Sequence, residues 1–192
     1  MPMIHETVVT SVSQSGEPHV APMGVRFEGN VVLLMPFKPS RTYDNVLGNE
    51  SAVVNFTTDV RIFAGCVTGR RQWACVAASN VVGVRLANAL AHAELRLDEH
   101  IADDVRPVLR MRRVHEETHA PFNGFNRAQA AVIEGAVLVS RLHMLPRSKV
   151  DSEMAYLQIA IDKTAGQNEL EAWQWLREAV AKDHGTDQRD AR

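Results

Sequence analysis

Two cysteines, Cys66 and Cys75, are all that 192 residues contain, too few for a disulfide framework or a zinc site built from thiolates. Both read as buried thiols. Net charge is nearly absent as well: −2 at pH 7, which excludes nucleic-acid binding by bulk charge and leaves room only for a local basic patch. No apolar run reaches the length of a membrane span. The N-terminus lacks the basic start and apolar core of a signal peptide. A cytoplasmic protein is therefore expected, with neither a membrane nor a nucleic acid as partner. There is no Gly-x-Gly-x-x-Gly fingerprint, so a dinucleotide-binding Rossmann unit is not expected. Internal repeats and long low-complexity tracts are missing too. What remains is long enough to bury a hydrophobic core without staples.

The first third reads as antiparallel β structure. Glu6 to Val12 carries alternating apolar residues, and Ser13-Gln14-Ser15-Gly16 reads as a turn. Pro18 to Phe27 can return antiparallel, and Glu28-Gly29-Asn30 leads into Val31 to Met35. Ser51 to Thr57 is a further strand candidate. Short connections favour antiparallel neighbours, because parallel pairing needs a long crossover. Val84 to Leu97 and Val105 to His119 read as two strands joined around Glu99 to Asp104, with a helix over Leu86 to Leu97 as the competing reading. The last third is helical. Asn126 can cap a helix through Ala130, Ile133, Val137 and Leu142. Ser148 can cap the next, with Val150, Met154, Leu157 and Ile161 at helical spacing. Asn168-x-x-Glu171 resembles a capping box before Trp173, Leu176 and Val180.

The chemistry concentrates after the third strand. Ser40 can cap a short helix, Asp44 adds negative charge near its start, and Gly48 can stop it. The first amides of such a helix lack internal acceptors. With Lys38 and Arg41 beside them, they suit a phosphate. A capped surface helix without a ligand is the competing reading. The segment is not a P-loop, since the Gly-Lys-Ser/Thr ending is missing. Ala21-Pro22-Met23-Gly24-Val25 reads either as a strand bend or as a place where backbone approaches a ligand closely, since Gly24 has no side chain.

His115-Glu116-Glu117-Thr118-His119 matches the His-Glu-x-x-His zinc-hydrolase pattern by letter. That chemistry needs a helix, and Pro121 and Gly124 interrupt one at once. His115 and His119 are therefore expected at a polar strand end, with no metal site. Arg127, Glu134 and Arg141 recur every seven residues and are expected on one helix face, as an ion-pair network or as contacts to an anionic substrate.

Taken together, Ala21-Pro-Met-Gly24, Pro36-Phe37 to Asn45, Val54-Asn55-Phe56-Thr57 and Gly124-Phe-Asn-Arg-Ala128, extending into Glu134 and Arg141, resemble the domain-of-unknown-function family four-four-seven. That family looks like a branch of the FMN-binding split-barrel flavoproteins. The resemblance covers most of residues 6 to 180. It implies an α+β fold, an antiparallel FMN-binding split β-barrel over residues 1–120 with a C-terminal helical segment over 121–185 and a disordered tail over 186–192. It also implies a homodimer with FMN near the interface, and an unidentified small-molecule substrate. Lys38, Ser40, Arg41 and Thr42 suit the FMN phosphate. The backbone of Met23, Gly24 and Val25 suits the ring, and Asn45, Asn55 and Thr57 complete the expected cofactor contacts. Some relatives are associated with methanopterin-linked one-carbon metabolism, which implies a pathway rather than a reaction. The expected function is an FMN-dependent oxidoreductase that transfers hydride or electrons. A flavin- or small-ligand-binding protein without turnover is the alternative, and a zinc hydrolase the remote one.

Overall fold

The computed structural model describes residues 3–190, with side chains as far as Asp183. Six strands form a closed antiparallel barrel: β1 (His5–Val12), β2 (Pro18–Glu28), β3 (Val31–Leu34), β4 (Ser51–Phe56), β7 (Ala91–Ile101) and β8 (Val108–Thr118), in the order β1-β2-β3-β8-β7-β4. Between β3 and β4 lies α1 (Arg41–Asn49). Between β4 and β7 lie α2 (Arg61–Val67) and a small hairpin of β5 (Cys75–Ala77) and β6 (Val84–Leu86). Three helices follow the barrel: α3 (Arg127–Val139), α4 (Arg147–Thr164) and α5 (Gln167–Asp190), with a short 3-10 turn over Leu142–Met144. Among the described residues no helix is long and apolar enough to cross a membrane.

The chain divides into two compact units. One joins the residues up to Thr57 with Arg71–Phe122; the other joins Thr58–Arg70 with the residues from Asn123 on. Residues 58–70, inside the stretch expected as barrel, thus group with the helices. The tail expected over 186–192 falls on the end of α5 and beyond it, and residues 191–192 lie outside the described residues.

Strand alternation builds the barrel interior. Val9, Val25, Val32, Leu34, Ala52, Val54, Ala93, Leu95, Leu109 and Met111 form one buried cluster, with Met23, Phe27 and Phe56 packed against it. β2 runs unbroken through Pro22 and Gly24, so the bend reading does not hold. Its pairing with β1 covers Pro18 to Val25, and β3 pairs only with Arg26 to Glu28. Residues 18–25 therefore have a strand on one side only, which is where a proline is tolerated in a sheet.

The opposite faces of β1, β4 and β7 are covered by the segment carrying the β5–β6 hairpin, and polar side chains make the joint. The Asn55 amide donates to Val8 O and Thr10 Oγ1, each at 3.0 Å, and its Oδ1 accepts from Leu86 N at 2.7 Å. Ser51 Oγ donates to Val82 O at 2.7 Å, and Thr10 Oγ1 donates to Val84 O. Glu94 accepts from Ser79 N at 2.8 Å and Asn80 N at 2.6 Å. β4 is consequently buried on both faces from Ser51 to Asn55.

Several expected boundaries move. α1 is capped by Ser40, whose Oγ accepts from Tyr43 N, but it runs past Gly48 and ends at Glu50, in left-handed backbone with φ 52°. The helix over Leu86 to Leu97 does not form, because β7 pairs with β4 on one side and β8 on the other. The β7–β8 connection is set by Asp103, whose Oδ1 accepts from Val105 N at 2.8 Å and Arg106 N at 2.6 Å. α3 starts at its expected cap, Asn126, yet stops before Leu142. α4 begins at Arg147 rather than after Ser148, since Pro146 O accepts from Lys149 N at 3.0 Å and Val150 N at 3.2 Å. The capping box expected for α5 at Asn168–Glu171 is replaced by half of one, placed earlier: Glu169 Oε2 accepts from Gly166 N at 3.0 Å, and Gly166 has no side chain to return the bond. In the helical unit, α3 and α5 meet at Gly135, where a Cβ would lie 2.8 Å from Trp173 Cζ3.

Asn55→Ala would remove the acceptor of a buried amide and open the joint under the hairpin. It is expected to lower stability by about 2–3 kcal/mol, whereas the exposed Asn168→Ala should stay within about 0.5 kcal/mol. Urea unfolding of both variants against the parent measures the difference.

Candidate functional site

The N-terminus of α1 carries the first constellation. Ser40, in extended backbone, uses its hydroxyl on Tyr43 N at 3.3 Å, and its carbonyl accepts from Asp44 N. The amides of Arg41 and Thr42 have no acceptor within the helix. Thr42 is buried as a whole, main chain included, while Arg41 is exposed. Lys38 Nζ sits 4.8 Å from the centre of the Tyr43 ring, and Tyr43 Oη is 3.1 Å from His100 Nε2. Asn45 donates to Ser11 Oγ at 3.0 Å, which ties α1 to β1.

Two residues without any sequence signal join this turn. Half-buried His19 on β2 is held below its ordinary pKa, first by burial and then by the positive fields of Arg41 and Arg71. Arg41 and Arg71 thus both lie within electrostatic reach of one imidazole. Beside Arg71 an open groove of about 400 Å³ is lined by Glu17, Pro18, Val20, Gln72, Trp73 and Ala74. Trp73 Nε1 is buried and has no hydrogen-bond partner among the described residues. A buried donor left in this state is a place where a ligand acceptor would be favourable.

The other expected contacts separate into two groups. Met23, Gly24 and Val25 lie on the half of β2 that β3 does not pair. Val25 is 0% exposed, main chain included, and belongs to the barrel core, so it is not open to a ligand. Met23 O accepts from Thr7 Oγ1 at 2.9 Å. A Cβ at Gly24 would lie 2.7 Å from Ile4 Cγ2, so packing of the N-terminal residues already requires the glycine. Asn55 and Thr57 lie on or just after β4, and the Asn55 amide is spent inside the joint under the hairpin. The structure thus brings Lys38, Ser40, Arg41, Thr42 and Asn45 together and encloses Asn55 elsewhere. His19, Arg71 and Trp73 were missed: an isolated histidine and residues in a connecting segment carry no periodic signal.

The His-Glu-x-x-His letters fall on β8, extended through Thr118, with His119 just beyond. The helical geometry of the zinc hydrolases is therefore not formed. Instead the outer face of β7 and β8 collects His92, Glu94, His115, Glu117 and His119. The His92 ring is 1% exposed and the Glu94 carboxylate 0%. Burial lowers the His92 pKa against the opposing pull of Glu94. Burial alone would raise Glu94, but the Ser79 and Asn80 amides and His92 outweigh it and hold the carboxyl below its ordinary value.

Arg127, Glu134 and Arg141 are all exposed, and no ion pair joins them among the described residues. Arg141 lies beyond the end of α3, so the seven-residue face is not formed.

His92 and Glu94 set the same sign of pH dependence. Each binds a proton less readily folded than unfolded, so each adds stability that is lost on acidification. In chelator, the urea midpoint is expected to fall as pH drops below the ordinary histidine value of 6.5, and again below the ordinary carboxyl value of 4.5. Glu94→Gln should flatten the lower limb. A midpoint that stays level from pH 7 to 5 contradicts the His92 assignment.

Comparison with known proteins adds the family. The family described as protein of unknown function (DUF447), N-terminal domain, matches residues 5–120, and the accompanying DUF447 family matches residues 126–178. No curated protein matches the chain at a significant level. A solved FMN-bound DUF447 protein from Methanosarcina mazei is similar over 93% of this chain and 96% of its own, with 20% identity and a TM-score of 0.79. The styrene monooxygenase flavin reductase from Pseudomonas putida S12 is similar over 60% of this chain and 79% of its own, with 12% identity and a TM-score of 0.52. The 2-nitrobenzoate 2-nitroreductase of Pseudomonas fluorescens is similar over 62% of this chain and 66% of its own, with 17% identity and a TM-score of 0.53. At these identities the likeness is one of fold.

Proposed function

The chain belongs to the DUF447 family, and from that membership we propose that it is an FMN-binding flavoprotein that passes hydride or electrons to a small molecule. The observation that carries this reading is the capped N-terminus of α1, where Arg41 is exposed at the first helical position and acts, with Arg71, on the same histidine. A dianionic phosphate is the group such a corner suits: guanidinium charge, an amide without an acceptor within the helix and the positive end of a helix. The orphaned Trp73 Nε1 supports the fit, since it offers a buried donor beside the same guanidinium. The Methanosarcina mazei relative, described as FMN-bound, gives the same direction.

In this reading Arg41, Arg71 and the amide of Arg41 hold the phosphate, with Lys38 adding charge at the rim. The main chain of Met23 and Gly24, on the unpaired half of β2, lies against the flat ring. When bound, FMN supplies the electron chemistry, and the protein binds, orients and tunes it. A methanopterin-linked role finds no support in any side chain of the site and is not part of this reading.

A homodimer belongs to the same reading. Phe37 and Val105 are 62% and 63% exposed and adjoin one another, because Lys38 N donates to Val105 O and Arg106 lies over the Phe37 ring. Exposed apolar side chains next to the ligand corner, with the half-open edge of β2, favour a second copy as cover.

FMN is expected to bind better than riboflavin, which lacks the phosphate. Arg41→Ala should weaken FMN binding by about 1.5–3 kcal/mol and leave riboflavin binding unchanged. Fluorescence titration of both flavins against both proteins decides it; equal affinity for the two flavins contradicts the phosphate assignment. Anaerobic addition of a reduced nicotinamide nucleotide then separates turnover from binding alone: bleaching of the bound flavin and its return with an acceptor are expected of an oxidoreductase.

The dimer is expected to persist at micromolar concentration, with dissociation releasing flavin. Light scattering that finds a flavin-loaded monomer in that range removes the partner copy from the site.

A further inference from the structure

The register of β7 and β8 sets His92 opposite Glu117 and Glu94 opposite His115. Ala93 and Leu95 point into the barrel, so these four side chains share its outer face. Glu94 Oε1 lies 3.3 Å from His92 Nε2, and two backbone amides fix the carboxylate. This leaves the Nε2 proton on His92 and a lone pair on its Nδ1. That Nδ1 faces His119 Nε2 at 2.9 Å, with the two rings inclined by 8°. The Glu117 carboxylate sits 3.9 Å from His119 Nδ1 and 3.8 Å from His115 Nε2.

We propose that His92, His119 and Glu117 form a site for a divalent first-row metal ion such as zinc, with Glu94 orienting His92. Each of the three offers a ligand atom within 4.8 Å of the other two. Zinc–nitrogen bonds of about 2.0–2.1 Å in a tetrahedral site put donors about 3.3–3.4 Å apart. The histidine pair has to open by about half an ångström to reach that spacing, and Glu117, on an exposed strand end, swings in. Without metal the two imidazoles share one proton. With metal, both facing nitrogens donate lone pairs, and the His119 proton resides on Nδ1. Glu94, the His92 imidazole and the metal then fall in line, the arrangement that fixes a ligand's tautomer and raises its basicity. His92, Glu94 and His115 also lie close enough to share an ion, but Glu94 already accepts from two amides and His92. Two histidines and one carboxylate leave coordination positions open to water or a small ligand.

The expectation of no metal rested on the failure of a helical His-Glu-x-x-His. The strand geometry keeps that failure and recruits His92 in place of a helical partner.

The test titrates chelator-treated full chain with Zn²⁺ alone by calorimetry, and with Co²⁺ alone by visible absorption. One ion per chain is expected. His119→Ala should weaken binding about 100-fold and Glu117→Gln about 10-fold. Glu116→Gln, on the same strand but opposite Ala93, should match the parent. Circular dichroism checks that each variant is folded; Glu117→Gln, at an exposed position, keeps the test alive should His119→Ala fail to fold. Absence of saturable binding below about 100 μM by the folded parent overturns the proposal, as does binding that His119→Ala and Glu117→Gln leave unchanged.

Discussion

The outer face of β4 and its neighbours is polar and yet buried, and the rest of the barrel unit depends on that joint. A hairpin of two three-residue strands cannot hold itself together in water. It stays because Asn55, Thr10, Ser51 and Glu94 reach its backbone at Leu86, Val84, Val82, Ser79 and Asn80. Each contact satisfies a main-chain group that would otherwise lose water without gaining a partner. An apolar face on β4 would bury as much surface but leave those groups orphaned. The same segment then carries Arg71 and Trp73 into the groove beside β2, since Ala87 N donates to Ala74 O and closes the base of the hairpin. Glu94 serves both ends of this logic. Its carboxylate pins the tip of the excursion and sets the tautomer of His92.

The two candidate sites differ in how charge is arranged. At α1 the positive groups Arg41 and Arg71 are exposed, and among the described residues no ion pair engages either of them. By contrast, Arg61 is already paired with two internal carboxylates, Asp59 with Nη2 at 2.7 Å and Glu171 with Nη1 at 3.4 Å. At β7–β8 the anion is internal and buried, and the histidines are its neighbours. An incoming anion suits the first place and an incoming cation the second.

Much of the fold was legible because alternation and capping are local. β1 to β4 follow from period-two patterns and turn residues, and Ser40 and Asn126 cap where their side chains can reach the next amides. The failures have local causes as well. Gly48 attracted the end of α1, yet Glu50 adopts the left-handed backbone and donates to Val46 O, because the chain must turn directly into β4. Leu86 to Leu97 has residues suited to either helix or strand, and only pairing on both sides decides it. α2 was not foreseen: seven residues give too little periodicity, and Val60 supplies no side-chain cap. The phosphate corner was half legible, since Lys38 to Thr42 are contiguous while His19 and Arg71 come from distant segments. His92 could not be found at all, because its partners are chosen by strand register.

A polar residue at alternate positions of a strand usually marks the solvent face. Here that rule gives the right face and the wrong environment. Thr10, Asn55, His92 and Glu94 alternate with the barrel's apolar residues as solvent-facing side chains would, and all four are buried. The distinction lies in what the residues can do once dry. Threonine, asparagine and glutamate can each accept from a backbone amide, and they do so or brace one another. Histidine offers two nitrogens with different partners, so it can be held by an internal carboxylate at one and remain available at the other. A buried polar strand face therefore points to a covering segment that the barrel's own pattern does not require. Within such a face, the histidine is the residue with chemistry left to do.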